Sequence, residues 1–254
     1  MYGAVIGDLA GSIYEYDQLK GIKKIDMDYL IEDNSFYSDD TILTMATLDA
    51  VLHNKHYSYY LKKYIKEYIN YKPNFTPYFK NSFSPNIIKW SKGDYYGRSY
   101  GNGALMKISP IGYMFDNEKD VKENAIAATI PSHNSKEAII HATKLALIIY
   151  YLRKGMYKEK ILDILDLDLE YKPFKKFNTG CEETFNNCIH AFYNSYNFED
   201  AIRKTLLMGG DTDTNCAIVG SMAEAAYGIK DNVIEKANEK LPEEFVRLLS
   251  KARK

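Results

Sequence analysis

Three glycines spaced four apart, Gly3, Gly7 and Gly11, lie in a small-residue apolar stretch running from Gly3 to Ile13. At that spacing they share one face of an α-helix, and a face without side chains lets another backbone approach closely. The segment ends in Ser12-Ile13-Tyr14-Glu15, and Tyr16 to Tyr37 reads as an irregular, polar connection. Asp8 and Glu15 stand in or beside this apolar segment, where an acid needs a partner or a function. Glu15 carries more interest, because it ends the segment and can face a cavity.

Periodicity extends the helical reading along the chain. Ser38 or Asp39 reads as the N-cap of a helix from about Thr41 to Asn54. Tyr57, Tyr60, Leu61, Tyr64, Ile65, Tyr68 and Ile69 follow the i, i+3, i+4, i+7 rule, with Lys and Glu on the other face. Pro73, Pro77 and Pro85 interrupt the next region, with a short helix over Asn86 to Trp90. Tyr95 to Ala104 is a glycine-spaced loop in which backbone can touch a ligand. Further helices are predicted over Lys119–Thr129, Lys136–Arg153, Lys158–Leu165, Glu182–Tyr193, Glu199–Leu207, Thr214–Tyr227, Asp231–Lys240 and Pro242–Lys251. β-Alternation is almost absent. The expected fold is all-α, a single domain of roughly ten or more helices spanning 1–254.

The charge balance, 33 Lys and Arg against 34 Asp and Glu without long blocks of either sign, leaves no footprint of nucleic-acid backbone binding. No apolar run approaches a membrane span. Cys181, Cys188 and Cys216 lack metal-site spacing and leave an odd thiol over, which fits reduced, buried cysteines and a cytoplasmic location. The opening residues lack the basic start of a signal peptide. Many of the 23 tyrosines fall at core spacing, where they replace Phe or Leu in packing.

The chemistry concentrates in two short segments. In Met208-Gly209-Gly210-Asp211-Thr212-Asp213-Thr214-Asn215, two acids and two threonines crowd one turn at a helix start. A cap needs one acid, so the surplus of hard oxygen ligands points to a divalent cation. Ser38-Asp39-Asp40-Thr41 repeats that chemistry, although by itself it is also an ordinary helix cap. If the two segments meet, their four carboxylates carry the charge that two divalent ions cancel. His133 is evenly balanced between a cap-region residue and a ligand donor, whereas His53, His56, His141 and His190 read as structural. No Cys/His pair, nucleophile elbow or dinucleotide fingerprint is present.

Taken together and in order, Gly7-Asp8-Leu9-Ala10-Gly11-Ser12-Ile13-Tyr14-Glu15, Tyr37-Ser38-Asp39-Asp40-Thr41, Tyr100 to Gly112, Ser132-His133-Asn134 and Gly209-Gly210-Asp211-Thr212-Asp213-Thr214 resemble the ADP-ribosylglycohydrolase family. The resemblance spans almost the whole chain. It implies a compact all-α fold, an orthogonal helical bundle whose cleft carries a binuclear magnesium centre, manganese being the other option, held by Ser38, Asp39, Asp40, Asp211, Asp213 and Thr214. Gly101, Asn102, Gly103 and Met106 match the loop lining the ribose and pyrophosphate, and His133 matches the ligand-contacting histidine. Glu15 matches an acid near the metals that takes part in catalysis in the branch acting on serine-linked ADP-ribose.

The implied activity is hydrolysis of the bond between the distal ribose of ADP-ribose and an acceptor such as an Arg or Ser side chain. Glu15 is the first choice of base, with Asp40 and Asp211 ranked behind it. The implied partner is an ADP-ribosylated protein or conjugate. A non-catalytic ADP-ribose reader and a hydrolase of a small ADP-ribose ester stand as rivals. Three positions depart from the family pattern: Lys107 replaces the usual Arg, Leu105 adds bulk, and Arg98 brings a positive charge just before the glycine loop.

Overall fold

The computed structural model describes residues 1–254 apart from 20–24, 26, 54, 74–81, 173–176 and 253–254, and for 16–19 the backbone. Among the described residues there are fourteen α-helices and no strand. The first half carries α1 (Tyr2–Leu19), α2 (Asp39–Leu52), α3 (Tyr57–Glu67), α4 (Pro85–Ser91), α5 (Gly103–Met106), α6 (Ser109–Met114) and α7 (Glu118–Thr129). The second half carries α8 (Lys136–Arg153), α9 (Lys158–Leu165), α10 (Cys181–Tyr193), α11 (Phe198–Met208), α12 (Thr212–Tyr227), α13 (Asp231–Glu239) and α14 (Glu243–Lys251). The all-α expectation holds, and Pro77 of the interrupted region lies outside the described residues.

The glycine face of α1 finds its partner in α12. A Cβ added at Gly3 would lie 2.1 Å from the Gly220 carbonyl oxygen, at Gly7 2.0 Å from that of Cys216, and at Gly11 2.3 Å from that of Thr212. Numbers rise along α1 as they fall along α12, so the two helices run antiparallel with their backbones nearly touching. At the far end of the pair the Glu224 carboxylate accepts from the Gly3 amide at 2.7 Å. Every residue of α12 from Thr212 to Ala223 is buried, as befits a helix surrounded on all sides. Helices α2, α5, α8, α10 and α11 pack around it.

Local chemistry sets most helix starts. The side chains of Ser38, Ser84, Asn117, Ser135 and Asn197 each accept from a backbone N–H in the first turn of the helix they precede. Tyr2, Tyr14, Tyr37, Tyr57, Tyr60, Tyr64 and Tyr151 are buried in the core, as their spacing predicts. The three cysteines are free and buried.

Two expectations change. Helix α1 runs one further turn past Glu15, to Leu19, so Glu15 projects from a helix and not from its end. The glycine-spaced loop turns helical at Gly103, where α5 and then α6 fold as short single turns. What remains of that loop is tied down by backbone bridges, Arg98 to His133 and Gly101 to Gly180.

Candidate metal centre and active site

The antiparallel pairing of α1 and α12 decides where the acids meet. Gly11 sits against Thr212, so Glu15, one turn further along α1, reaches the N-terminal end of α12. Gly209 and Gly210, at φ 73° and 78°, occupy the left-handed region that glycine enters without penalty. They turn the chain out of α11 and deliver Asp211 to the N-cap of α12. Ser38, the N-cap of α2, brings Asp39 and Asp40 to the same place. Two helix N-termini, each favouring negative charge, therefore converge there.

The carboxylates form two interlocking trios. Oxygens of Asp8, Asp40 and Asp213 lie within 4.8 Å of one another, and so do oxygens of Glu15, Asp211 and Asp213. Asp213 belongs to both. Thr214 Oγ1 donates to Asp40 Oδ2 at 3.2 Å, which joins the α12 segment to the α2 segment across the cluster. Asp39 is half-buried and stands outside both trios, but its carboxyl is raised by burial and then by the charges of Asp213 and Asp8, so it faces the same cluster.

Asp8 is the residue that sequence reasoning left out of the site. Fully buried, it accepts from the backbone N–H of Ser38 at 2.9 Å and of Thr41 at 3.0 Å, and from both their hydroxyls. It fixes the Ser38–Thr41 segment to α1. The Ser38 hydroxyl donates to Asp8 at 2.8 Å and accepts from the Asp40 N–H at 3.2 Å. The available signal was an acid set among small apolar residues directly after Gly7.

Electrostatics make this cluster costly as it stands. Burial raises Asp8 to about 7, with the charge of Asp213 the next cause and the hydrogen bonds from Ser38 and Thr41 opposing. Glu15, Asp40 and Asp213 are raised well above the carboxylate range, by burial first and by neighbouring carboxylates next. Among the described residues, none of the six acids is ion-paired to a lysine or arginine. Asp40 Oδ1 is buried without a hydrogen-bond partner. An orphaned carboxylate oxygen in a cluster of hard oxygen donors lacking a protein cation fits a divalent metal ion.

The glycine loop reaches the same cluster. Asn102 Nδ2 donates to Asp211 Oδ2 at 2.8 Å, while the Asn102 amide is held by the Thr179 carbonyl at 2.8 Å. Gly101 and Gly103 flank Asn102, and Met106, buried, accepts from Thr44 Oγ1 through its carbonyl at 3.0 Å. His133 is buried with its ring beside Gly103: Nε2 lies 3.1 Å from where a Cβ on Gly103 would stand. Arg98 is exposed at the rim, paired through its backbone with His133. Lys107 is completely buried beneath the loop, its ammonium on the Gly103 carbonyl at 2.8 Å, and burial lowers it to about 7. His141 and His190 bond backbone carbonyls through Nδ1, and His53 pairs with Asp49, in keeping with structural roles.

Comparison with known proteins places this architecture. A protein-family model described as ADP-ribosylglycohydrolase matches residues 1–253. ADP-ribosyl-[dinitrogen reductase] glycohydrolase of Rhodospirillum rubrum is 23% identical over an alignment covering 52% of the chain and 47% of that protein. ADP-ribosylhydrolase ARH3 of Mus musculus is 20% identical across 90% of the chain and 82% of that protein. ADP-ribosylarginine hydrolase Tri1 of Pseudomonas putida is 25% identical over 56% of the chain and 42% of that protein. The match thus spans about half the length of the first and third of these relatives. A solved structure titled "ADP-ribosylglycohydrolase-related protein complex" superposes with a TM-score of 0.67, covering 97% of the chain and 89% of its own at 20% identity, and so shares the fold. With the family model matched from residue 1 to residue 253, the chain belongs to the ADP-ribosylglycohydrolase family.

Proposed function

We propose that the chain is an ADP-ribosylhydrolase that cleaves the glycosidic bond between the distal ribose of ADP-ribose and an acceptor such as an Arg or Ser side chain. The observation that carries this reading is the pair of carboxylate trios sharing Asp213, joined through the Asn102–Asp211 hydrogen bond to a glycine loop. Its relatives' names describe removal of ADP-ribose, including from arginine. Two magnesium ions, or manganese in their place, would be held by Ser38, Asp39, Asp40, Asp211, Asp213 and Thr214, and we add Asp8, an oxygen of which lies within 4.8 Å of oxygens of Asp40 and Asp213. Such ions supply Lewis acidity and cancel the cluster's negative charge.

The chain's own residues account for the rest. The glycines at 101 and 103 would let a diphosphate approach the loop backbone, with His133 and Arg98 as nearby donors. Asn102, fixed at both ends, ties the loop that binds the nucleotide to the acids that face the scissile bond. Glu15 takes the proton of the attacking water as the new C1–O bond forms and the bond from C1 to the acceptor breaks. That proton is returned to the departing acceptor, which restores the carboxylate. Glu15 belongs to the second trio and is half-buried, and in the metal-free cluster burial first and the charges of Asp213 and Asp211 next raise its carboxyl well above the ordinary range. As the bond breaks, positive charge grows on the ribose, and Asp40 and Asp211 stabilise it and stand as alternative bases.

The test is release of free ADP-ribose from Arg-linked, Ser-linked and acetyl-ester substrates, with magnesium and with chelator. Magnesium-dependent release from one of them is the expected result. Absence of release from all three, with ADP-ribose still bound, means a non-catalytic reader. The Glu15→Gln variant is expected to lose about 10²–10⁴-fold in kcat while ADP-ribose affinity stays within about threefold. Retained turnover removes Glu15 from the role of base.

A further inference from the structure

The buried Lys107 has no role in the reaction just described, yet its surroundings are specific. It stands at the C-terminal end of α5, fully enclosed, and spends one N–H on the Gly103 carbonyl at 2.8 Å. A second N–H points at Nδ1 of His133, 3.3 Å away. The same Nδ1 meets the Ser132 hydroxyl at 2.7 Å. Below about pH 7 Lys107 is an ammonium group, which donates and never accepts, so a proton on Nδ1 would face N–H against N–H inside the protein. Nδ1 must therefore accept, the Ser132 hydroxyl must turn to donate, and the ring's single proton goes to Nε2. Nε2 has no hydrogen-bond partner among the described residues and opens beside Gly103.

We propose that Lys107 and Ser132 are positioning residues that hold His133 as the neutral tautomer with its proton on Nε2, presenting one fixed donor at the Gly103 loop to an oxygen of the ADP-ribose unit. This deepens the functional reading above and rests on it for the ligand's identity. The arrangement is self-consistent at both ends. Burial keeps the imidazole from taking a second proton, the charge of Lys107 adds to that effect, and Lys107 also fixes the carbonyl of the glycine that the histidine flanks. A donor locked in advance costs less ordering when ligand arrives than a ring free to exchange tautomers.

The tautomer can be read without any ligand. In ¹⁵N-histidine-labelled protein at about pH 6, where Lys107 is charged, the resonances lost in His133→Gln identify the ring. An unprotonated Nδ1 and a protonated Nε2 are expected. A protonated Nδ1 in the wild type overturns the proposal outright, whether or not any variant folds. In the double variant Lys107→Met, Ser132→Ala, both donors are gone; the ring should populate both tautomers, and the Kd for ADP-ribose, measured with magnesium, should rise about tenfold. The effect should fall on KM, with kcat within about twofold, and Lys107→Arg, which keeps a donor, should restore the tautomer. Wild-type binding of ADP-ribose with an unchanged tautomer and Kd in the double variant sinks the positioning role and leaves the hydrolase reading standing. Failure of the wild type to bind ADP-ribose sinks the hydrolase reading, while the spectrum still decides the tautomer.

Discussion

Replacing Asp213 with asparagine is expected to weaken magnesium binding at least about a hundredfold and to lower turnover about a thousandfold, while making the metal-free protein more stable. Both halves come from one fact: Asp213 is the carboxylate shared by the two trios. Its charge is the largest cause after burial in raising Asp8, Glu15, Asp39 and Asp40. Removing it relieves repulsion that a bound cation or a proton would otherwise cancel. The sign of the pH dependence follows. Asp8 is raised from its ordinary 3.8 to about 7, so the folded state holds that proton more tightly than the unfolded chain. Its contribution is fully present below about pH 4 and is lost as pH rises through about 7. In chelator, the stability of the wild type should fall across that window, and Asp213→Asn should flatten the fall, being more stable near neutral pH by about 1–2 kcal/mol and melting higher there. Calorimetric titration with magnesium and thermal melts in chelator measure the two halves separately. Unchanged magnesium affinity in the variant would remove Asp213 from the metal centre.

The acids were legible in sequence because two acids and two threonines in one turn exceed what a helix cap uses, and because Ser38 to Thr41 repeats that chemistry. Asp8 was not, since nothing local shows that its four donors arrive from residues 30 and 33 positions away. The Asn102–Asp211 bond, 109 residues apart, is invisible for the same reason. Helices α8 and α9 have the bounds that their periodicity predicts; Ser135 caps the start of α8, whereas α9 follows Tyr157 without a side-chain cap and rests on its apolar spacing. Helix α5 begins inside the segment that reads as loop, and periodicity assigns nothing to α6, because Gly103, Pro110 and Gly112 carry poor helix propensity, which burial of Ala104, Leu105, Ile108 and Ile111 overrides. The continuation of α1 past Glu15 was missed because Tyr16-Asp17-Gln18 lacks an apolar stripe. Lys107 stood out only as a departure from the family pattern; its contact with His133 needed the fold.

The Gly7→Ala substitution is expected to destabilise the protein by about 3 kcal/mol or more, which in a chain of this size lowers the melting temperature by roughly 6–12 °C. The added methyl would lie 2.0 Å from the Cys216 carbonyl oxygen, 2.3 Å from its carbon and 2.6 Å from the Ala217 nitrogen. All three belong to the backbone of a buried helix, so no side chain can swing aside, and α1 must separate from α12. Gly228→Ala is the matched comparison. Its φ of 72° penalises a side chain, but no atom lies within 4 Å, so a cost of about 1 kcal/mol is expected. The larger consequence concerns the site. Asp8 and Glu15 ride on α1, and Asp211 and Asp213 on α12, so each trio is completed only at the separation the glycines permit. Magnesium affinity should therefore fall in Gly7→Ala even under conditions where it remains folded, and stay at the wild-type value in Gly228→Ala. If Gly7→Ala melts within about 2 °C of wild type, the glycine face does not set the spacing of the acids. If it is destabilised yet binds magnesium normally, the trios tolerate movement of α1, and α2 and α12 hold the ions between them.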